Sequence, residues 1–304
     1  MFLLGAIKLI TAQENNDTLI PKFWDVGGMI SVNVSQSTFV NWATGGEKYY
    51  GGTGFLNLFA NYKKGNNSWD NKLDLGFGIM KQGDKPVFKT EDKIDLSSKY
   101  GRRATERWNY TALVGFKTQF YEGKQSIDDT TKISNFMAPA YLQFSIGMDY
   151  KPIKGFSLFL SPISLKATYV LDNDLSEKRA FGVNPIEKSK YEIVNRKSKY
   201  EIGGYLKAEY KTTIKENIIY STKLELFSNY VEKPENITVN WENAINFKIN
   251  KFFSANFYLT MIYDDKINIK IPQDDDSFKE GPRLQIKEIF GVGFIYNCSF
   301  NKKT

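Results

Sequence analysis

Histidine is missing altogether from the 304 residues, and cysteine occurs once, at Cys298. Without imidazole there is no ordinary Ser–His or Cys–His catalytic pair, no histidine zinc site and no histidine pH switch. A single thiol excludes an internal disulfide and a cysteine-rich metal site, so no cofactor and no metal is assigned. Long apolar runs are also missing: no stretch reaches the length of about 18 residues that a transmembrane helix needs. The one helix-like apolar run is MFLLGAIKLITAQ at the start, where residues 2–12 resemble the tail of a secretory signal cleaved after Ala12, although it lacks a basic n-region and Lys8 interrupts it. A strong charge of one sign is absent as well. The 41 basic and 34 acidic residues leave a net +7 but are interspersed, which argues for a solvated mixed surface and against a nucleic-acid stripe. The most basic run, residues 188–199, falls in a connection, where it is placed to face phosphates of a lipid headgroup layer.

What the chain does have is alternation. Over residues 284–300 the even positions Leu284, Ile286, Phe290, Val292, Phe294, Tyr296, Cys298 and Phe300 are apolar, Glu288 excepted, while Gln285, Lys287, Asn297 and Ser299 stand on the other phase. A period of two held this long means one strand with an apolar and a mostly polar face. Soluble strands average only about 5–6 residues. Phe290 and Phe300 lie ten positions apart, which for a tilted strand spans roughly 25 Å of depth, the height of an outer-membrane apolar band. Cys298 sits on the apolar phase and reads as a small packing residue.

The same pattern recurs with aromatic ends at Tyr110 and Phe120, Tyr200 and Tyr210, Tyr220 and Tyr230, and Phe253 and Tyr263, each pair bracketing one apolar phase. With 15% aromatics several such spacings arise by chance, so the shared phase carries the weight. Residues 236–250 alternate likewise. Less regular strands at 29–35, 53–63, 69–81, 89–100, 138–150 and 156–171 bring the total to about twelve, an even number as bacterial single-chain barrels require. Pro162 demands a bulge or kink. Connections between these strands alternate short and long, with only 231–235 failing to stand out. That parity is expected of a membrane barrel and not of a soluble sandwich.

These readings predict an all-β chain: an antiparallel up-and-down transmembrane barrel of about 12 strands over residues 27–300. A signal segment at 1–12, a periplasmic segment at 13–26 and a short tail at 301–304 complete the organisation, with both termini periplasmic. Candidate lumen-facing polar residues are Glu91, Lys93, Asp95, Lys117, Gln119, Lys207, Glu209, Lys223, Glu225, Gln285 and Lys287. Candidate girdle residues are Tyr110, Phe120, Tyr200, Tyr210, Tyr220, Tyr230, Phe253, Tyr263, Phe290 and Phe300. The lumen charges could in principle supply a Lys or carboxylate base, but a row of cross-strand ion pairs stiffening a polar interior, or one tuning a pore, is the simpler reading. Residues 273–277 (QDDDS) lack the glycine and spaced glutamate of a calcium loop and read as an acidic loop tip. Gly45-Gly46 reads as a turn, because no helix follows to make a phosphate cradle.

Taken together, WDVGGMISVNVSQSTFVNWATGGE (24–47), WDNKLDLGFGIM (69–80), KTEDKIDLSSKYG (89–101), TQFYEG (118–123), LSPISLKATYV (160–170) and GPRLQIKEIFGVGFIY (281–296) resemble a family of outer-membrane β-barrel proteins of Bacteroidetes-type bacteria that is classified only as a domain of unknown function. The resemblance implies a barrel fold and a location in the bacterial outer membrane; in the leading reading of the residues lipid surrounds the barrel and its outer loops contact surface lipids or envelope proteins. It assigns no catalytic residue. Three functions remain open: a non-enzymatic narrow channel or structural and assembly component, a membrane-embedded enzyme that works without histidine, and a soluble periplasmic lipid-binding barrel.

Overall fold

In a computed structural model, which describes residues 23–38, 47–183, 194–195, 197–272 and 278–299, twelve long strands form one sheet that closes on itself. They are β1 (Trp24–Ser37), β2 (Tyr49–Lys64), β3 (Asn67–Gln82), β4 (Phe88–Arg103), β5 (Trp108–Thr118), β6 (Ala140–Tyr150), β7 (Phe156–Tyr169), β8 (Ser198–Lys215), β9 (Ile218–Asn229), β10 (Ile237–Lys248), β11 (Phe253–Tyr263) and β12 (Gln285–Ser299). Each strand pairs antiparallel with its sequence neighbours, and β12 returns to β1, so the topology is up-and-down throughout. All twelve expected strands are present. The first starts earlier than expected, at Trp24, so the barrel takes in residues 24–26 that the alternation left in the preceding segment. Residues 1–22, Phe300 and 301–304 lie outside the described residues.

Pairing of β12 with β1 closes the ring and removes most of the bare edge that an open sheet of strands 11 to 18 residues long would present. The apolar phase faces outward: Ile30, Val32, Phe77, Leu96, Val114, Phe144, Ile146, Ile163, Phe290 and Phe294 are all exposed. The polar phase faces inward and is buried, as with Glu91, Asp95, Lys99, Lys207 and Asp149. Connections at one end are short, at 65–66, 104–107, 151–155, 216–217 and 249–252. Those at the other end, 38–48, 83–87, 119–139, 170–197, 230–236 and 264–284, are mostly longer, as the parity predicted. Gly65 makes the tightest short turn possible by adopting φ +56°, a conformation that side chains with a Cβ resist.

Pro162 does force a bulge. The register of β7 slips against β6 between Ile146 and Met148 and against β8 between Gly203 and Tyr205. The Ser161 hydroxyl lies 2.8 Å from the carbonyls of Ile146 and Ile163, which satisfies groups the slip would otherwise leave bare. Gly147 faces the slip, where a Cβ would come within 1.9 Å of the Leu160 carbonyl oxygen.

At the long-connection end, residues 119–139 and 170–183 fold into a small cap. Ala138, Val170, Leu175 and Val183 form its buried core, with Ala180 and Phe181 against it. A short helix, α1 (Asn173–Glu177), is capped by Asp172, whose carboxylate accepts from the Leu175 amide at 3.1 Å. The same carboxylate takes Lys132 at 2.7 Å and Asn135 at 2.9 Å, tying one connection to the other. Burial pushes the Asp172 carboxyl up, but hydrogen bonds from Asn135, Lys132 and the Leu175 amide outweigh it and hold it at about 2.

Candidate functional site

The lumen gathers the chemistry. Glu91, Lys93 and Asp95 stand on the inward phase of β4, Lys117 on β5, Lys207 and Glu209 on β8, Lys223 and Glu225 on β9, and Gln285 and Lys287 on β12. Gln119 is the exception. It lies beyond the end of β5, where its amide donates to the Ala138 carbonyl at 3.1 Å and its carbonyl oxygen lies 3.4 Å from Lys89 Nζ, so it belongs to the base of the cap.

The expected pattern was a row of pairs between adjacent strands, and this is where the structure differs most. Several of the short pairs cross the lumen instead. Lys93 on β4 meets Glu242 on β10 at 2.7 Å, and these strands are diametrically opposed in a closed ring of twelve. Lys223 on β9 bonds Asp95 on β4 at 3.0 Å and Glu242 at 3.0 Å, and Lys117 pairs with Glu225 on β9. Lys117 also lies 3.9 Å from Asp95, and Lys93 3.8 Å from it. Three lysines and three carboxylates therefore make one connected, electroneutral cluster. A circular section of twelve strands spaced about 4.8 Å and tilted about 40° is roughly 24 Å across. An extended lysine and glutamate bridge far less, so the cluster draws the wall in and flattens the barrel between β4 and β10.

A second tier lies nearer the short-connection end. Lys72 on β3 reaches Glu209 on β8 at 2.7 Å, Lys99 on β4 reaches Asp149 on β6 at 3.0 Å, and Lys151 bonds Asp70 at 2.8 Å. Lys207 lies 3.6 Å from Glu209 and 3.3 Å from the Ser97 hydroxyl. Towards the long-connection end, Glu91 on β4 holds Lys287 on β12 at 2.9 Å. Lys199 turns inward to Glu232 at 3.3 Å and Glu201 at 3.7 Å, so this residue of the basic run does not face outer phosphates; 188–193 lie outside the described residues, as do 273–277 and Gly45-Gly46.

Glu242, Lys72, Lys99, Asp149 and Asp70 were not singled out, although each stands on the polar phase of its strand. What the alternation also missed is an apolar cluster inside the barrel, formed by Leu113, Phe159, Tyr205 and Phe227. Tyr205 and Phe227 share the phase of Lys207 and Lys223, and the Tyr205 hydroxyl donates to Glu225 at 2.6 Å, so the apolar cluster abuts the ion cluster on this side.

The wall from β11 through β1 to β3 is different. Its inward residues include Ser31, Asn33, Asn57, Asn61, Ser254, Asn256 and Tyr258, with Phe55 stacked 4.9 Å from Tyr258. Glycines alternate with them: Phe59 lies over Gly27 and Phe55 over Gly76. Side chains here lie along the wall.

Of the girdle residues, Tyr110, Tyr210, Tyr220 and Phe253 stand on the outward phase towards the short-connection end. Phe120, Tyr200, Tyr230, Tyr263 and Phe290 stand on it towards the other end, with Phe120 and Tyr230 just past their strands. Phe120 reaches back to Phe77, ring centres 6.2 Å apart. A denser aromatic row, Trp24, Tyr62, Trp69 and Tyr100, stands in register across β1 to β4.

Solved structures similar to this chain are outer-membrane proteins. An outer membrane channel from Pseudomonas putida F1 is 14% identical over 95% of this chain and 100% of that one, at a TM-score of 0.39. The translocator domain of the autotransporter NalP from Neisseria meningitidis is 8% identical over 90% and 88%, at 0.34, and the toluene transporter TodX from P. putida is 9% identical over 93% and 91%, at 0.31. No curated protein matches the chain. Residues 34–123, from the end of β1 to just beyond β5, match a family model described as "Protein of unknown function (DUF3078)".

Proposed function

We propose that the chain is an integral barrel of the bacterial outer membrane that works as a narrow, throttled channel for small solutes. The outward belt of Ile, Val, Leu and Phe side chains supports a hydrocarbon surrounding, with lipid as the immediate partner, and the aromatic rows near the strand ends match interfacial girdles. Both described strand ends, Trp24 and Ser299, lie at the short-connection end, which in such barrels faces the periplasm. The capped connections then face outward, towards lipid headgroups and envelope proteins.

The observation that carries the reading is the Lys93–Glu242 bridge between opposed strands. It places an electroneutral cluster across the middle of the lumen, which restricts passage without imposing a net field, so weak ion selectivity is expected. The chemistry argues against an enzyme: each lysine and carboxylate of the cluster is committed to an opposite charge, which leaves no free base. Conductance of the refolded protein in a planar bilayer tests this. Small, poorly selective conductance is expected for the native chain, and a several-fold increase for the double variant Lys93→Ala/Glu242→Ala, which removes one charge of each sign. Silence in both would favour a structural or assembly role in the envelope.

A further inference from the structure

The ring is not closed along its whole height. β1 pairs with β2 over all fourteen of its residues, from Trp24↔Tyr62 to Ser37↔Tyr49. With β12 it pairs over seven only, from Gly27↔Ser299 to Asn33↔Gly293. Beyond that point β12 stays in register with β11 as far as Ile262↔Gln285, so both strands continue as strands while the seam between them stops. Val34, Gln36, Phe290 and Val292 flank the unpaired stretch on the outside, and all four are exposed. Val34 and Val292 belong to the apolar belt. Among the described residues the opening therefore begins within the apolar belt and continues towards the long-connection end.

An unpaired strand edge cannot face hydrocarbon, where its bare backbone groups find no hydrogen-bond partner. Something polar must reach it from the lumen side or from an occupant. The inner lip is built for this. Gly291 and Gly293 are the inward residues of β12 at the seam, and Asn33 crosses over them from β1 to Asn256 on β11, 3.4 Å away. A Cβ on Gly291 would come within 2.8 Å of the Asn33 side chain, so only glycine admits this crossing. Asn256 is fully buried and Asn33 nearly so, yet Asn33 Nδ2 and Asn256 Oδ1 have no hydrogen-bond partner among the described residues. Behind them lies the amide-rich side of the lumen, bounded by the Glu91–Lys287 pair.

We propose that the outer part of the β1–β12 seam is a lateral portal, through which an amphipathic small molecule with an apolar chain and an uncharged hydrogen-bonding head passes between the outer leaflet and the amide-lined half of the lumen. The chain would lie against Val34, Phe290 and Val292, and the head would engage Asn33 and Asn256. The proposal rests on the membrane reading above, but not on axial conduction.

Its test uses cysteine pairs in a Cys298→Ser background. Val32→Cys/Phe294→Cys occupies a paired position; Val34→Cys/Val292→Cys occupies the next position of the same facing type on the unpaired side. The first pair is expected to oxidise to a disulfide and the second to resist, yielding only to a longer bifunctional thiol reagent. Equal disulfide formation by both, or a disulfide between Val34→Cys of two copies, would overturn the portal: the first shows a zipped seam, the second an edge that recruits another strand. Independently, labelling of Ser35→Cys, an exposed position on the inward phase of β1 beside the unpaired stretch, by a polar thiol reagent is expected to slow about tenfold when vesicles hold monoolein at roughly ten times its dissociation constant, and not with free glycerol. No protection by monoolein, or equal protection by glycerol, would overturn the occupant. Bridging the seam should leave planar-bilayer conductance unchanged, which keeps this proposal separable from the channel reading.

Discussion

The two walls of the barrel, β4 to β10 and β11 to β3, are built on one alternation yet use their inward positions in opposite ways. The first projects long charged side chains that meet across the lumen, backed by Leu113, Phe159, Tyr205 and Phe227. The second lays amides, hydroxyls and rings flat over glycines and ends in a seam that stops halfway. One wall is locked by charge pairs that cannot be broken singly without leaving a buried charge. The other is held mostly by uncharged contacts, Lys72 and Asp74 of β3 and Lys287 of β12 excepted.

The contrast is broken most directly by removing one member of each half. Asp95, whose side chain is only 6% exposed, faces three lysines, so Asp95→Ala is expected to cost about 3–5 kcal/mol by stranding their charge. Asn33→Ala removes one neutral contact and should cost only about 0.5–1.5 kcal/mol. Urea unfolding of the refolded barrel reads both, and equal losses would erase the distinction between the walls.

A second substitution asks whether the outward face of the locked wall meets lipid. Ile146, 69% exposed, stands on the outward phase of β6 beside the Pro162 bulge. Ile146→Arg is expected to destabilise the barrel in vesicles by about 2–4 kcal/mol if that face lies near the bilayer midplane. The same change on a water-facing surface would register close to zero.

The smallest effect separates the cap from the wall beneath it. Asp172 is held down at about 2, so its contribution is fully present above the ordinary carboxylate range and is lost as pH falls through the folded value. Between about pH 4 and pH 2 the cap should loosen, seen as faster amide exchange over residues 132–138 and 172–176. Asp172→Asn should loosen it at neutral pH and flatten the acid dependence, while Lys132 loses its principal partner.

Much of this was legible in the residues. Side-chain direction in a strand has a period of two, which is a local rule, so Lys93, Asp95, Lys223 and Glu225 could be placed inside and Phe290 and Tyr110 outside before any coordinates. Pro162 announced its bulge for the same local reason, a missing amide hydrogen. Tyr205 and Phe227 were passed over because an aromatic on a polar phase looks like noise until its neighbours across the ring are known. Gln119 was misplaced because nothing in the alternation marks where β5 stops.

The amino-acid sequence alone determined that twelve strands would form, which face of each would be apolar, and which connections would be long. It could not determine that Lys93 would meet Glu242 or that the β1–β12 seam would end at Asn33↔Gly293. Both depend on how far the ring flattens and how the first and last strands slide past each other at closure, quantities set by contacts between residues more than a hundred positions apart, and no local pattern encodes them.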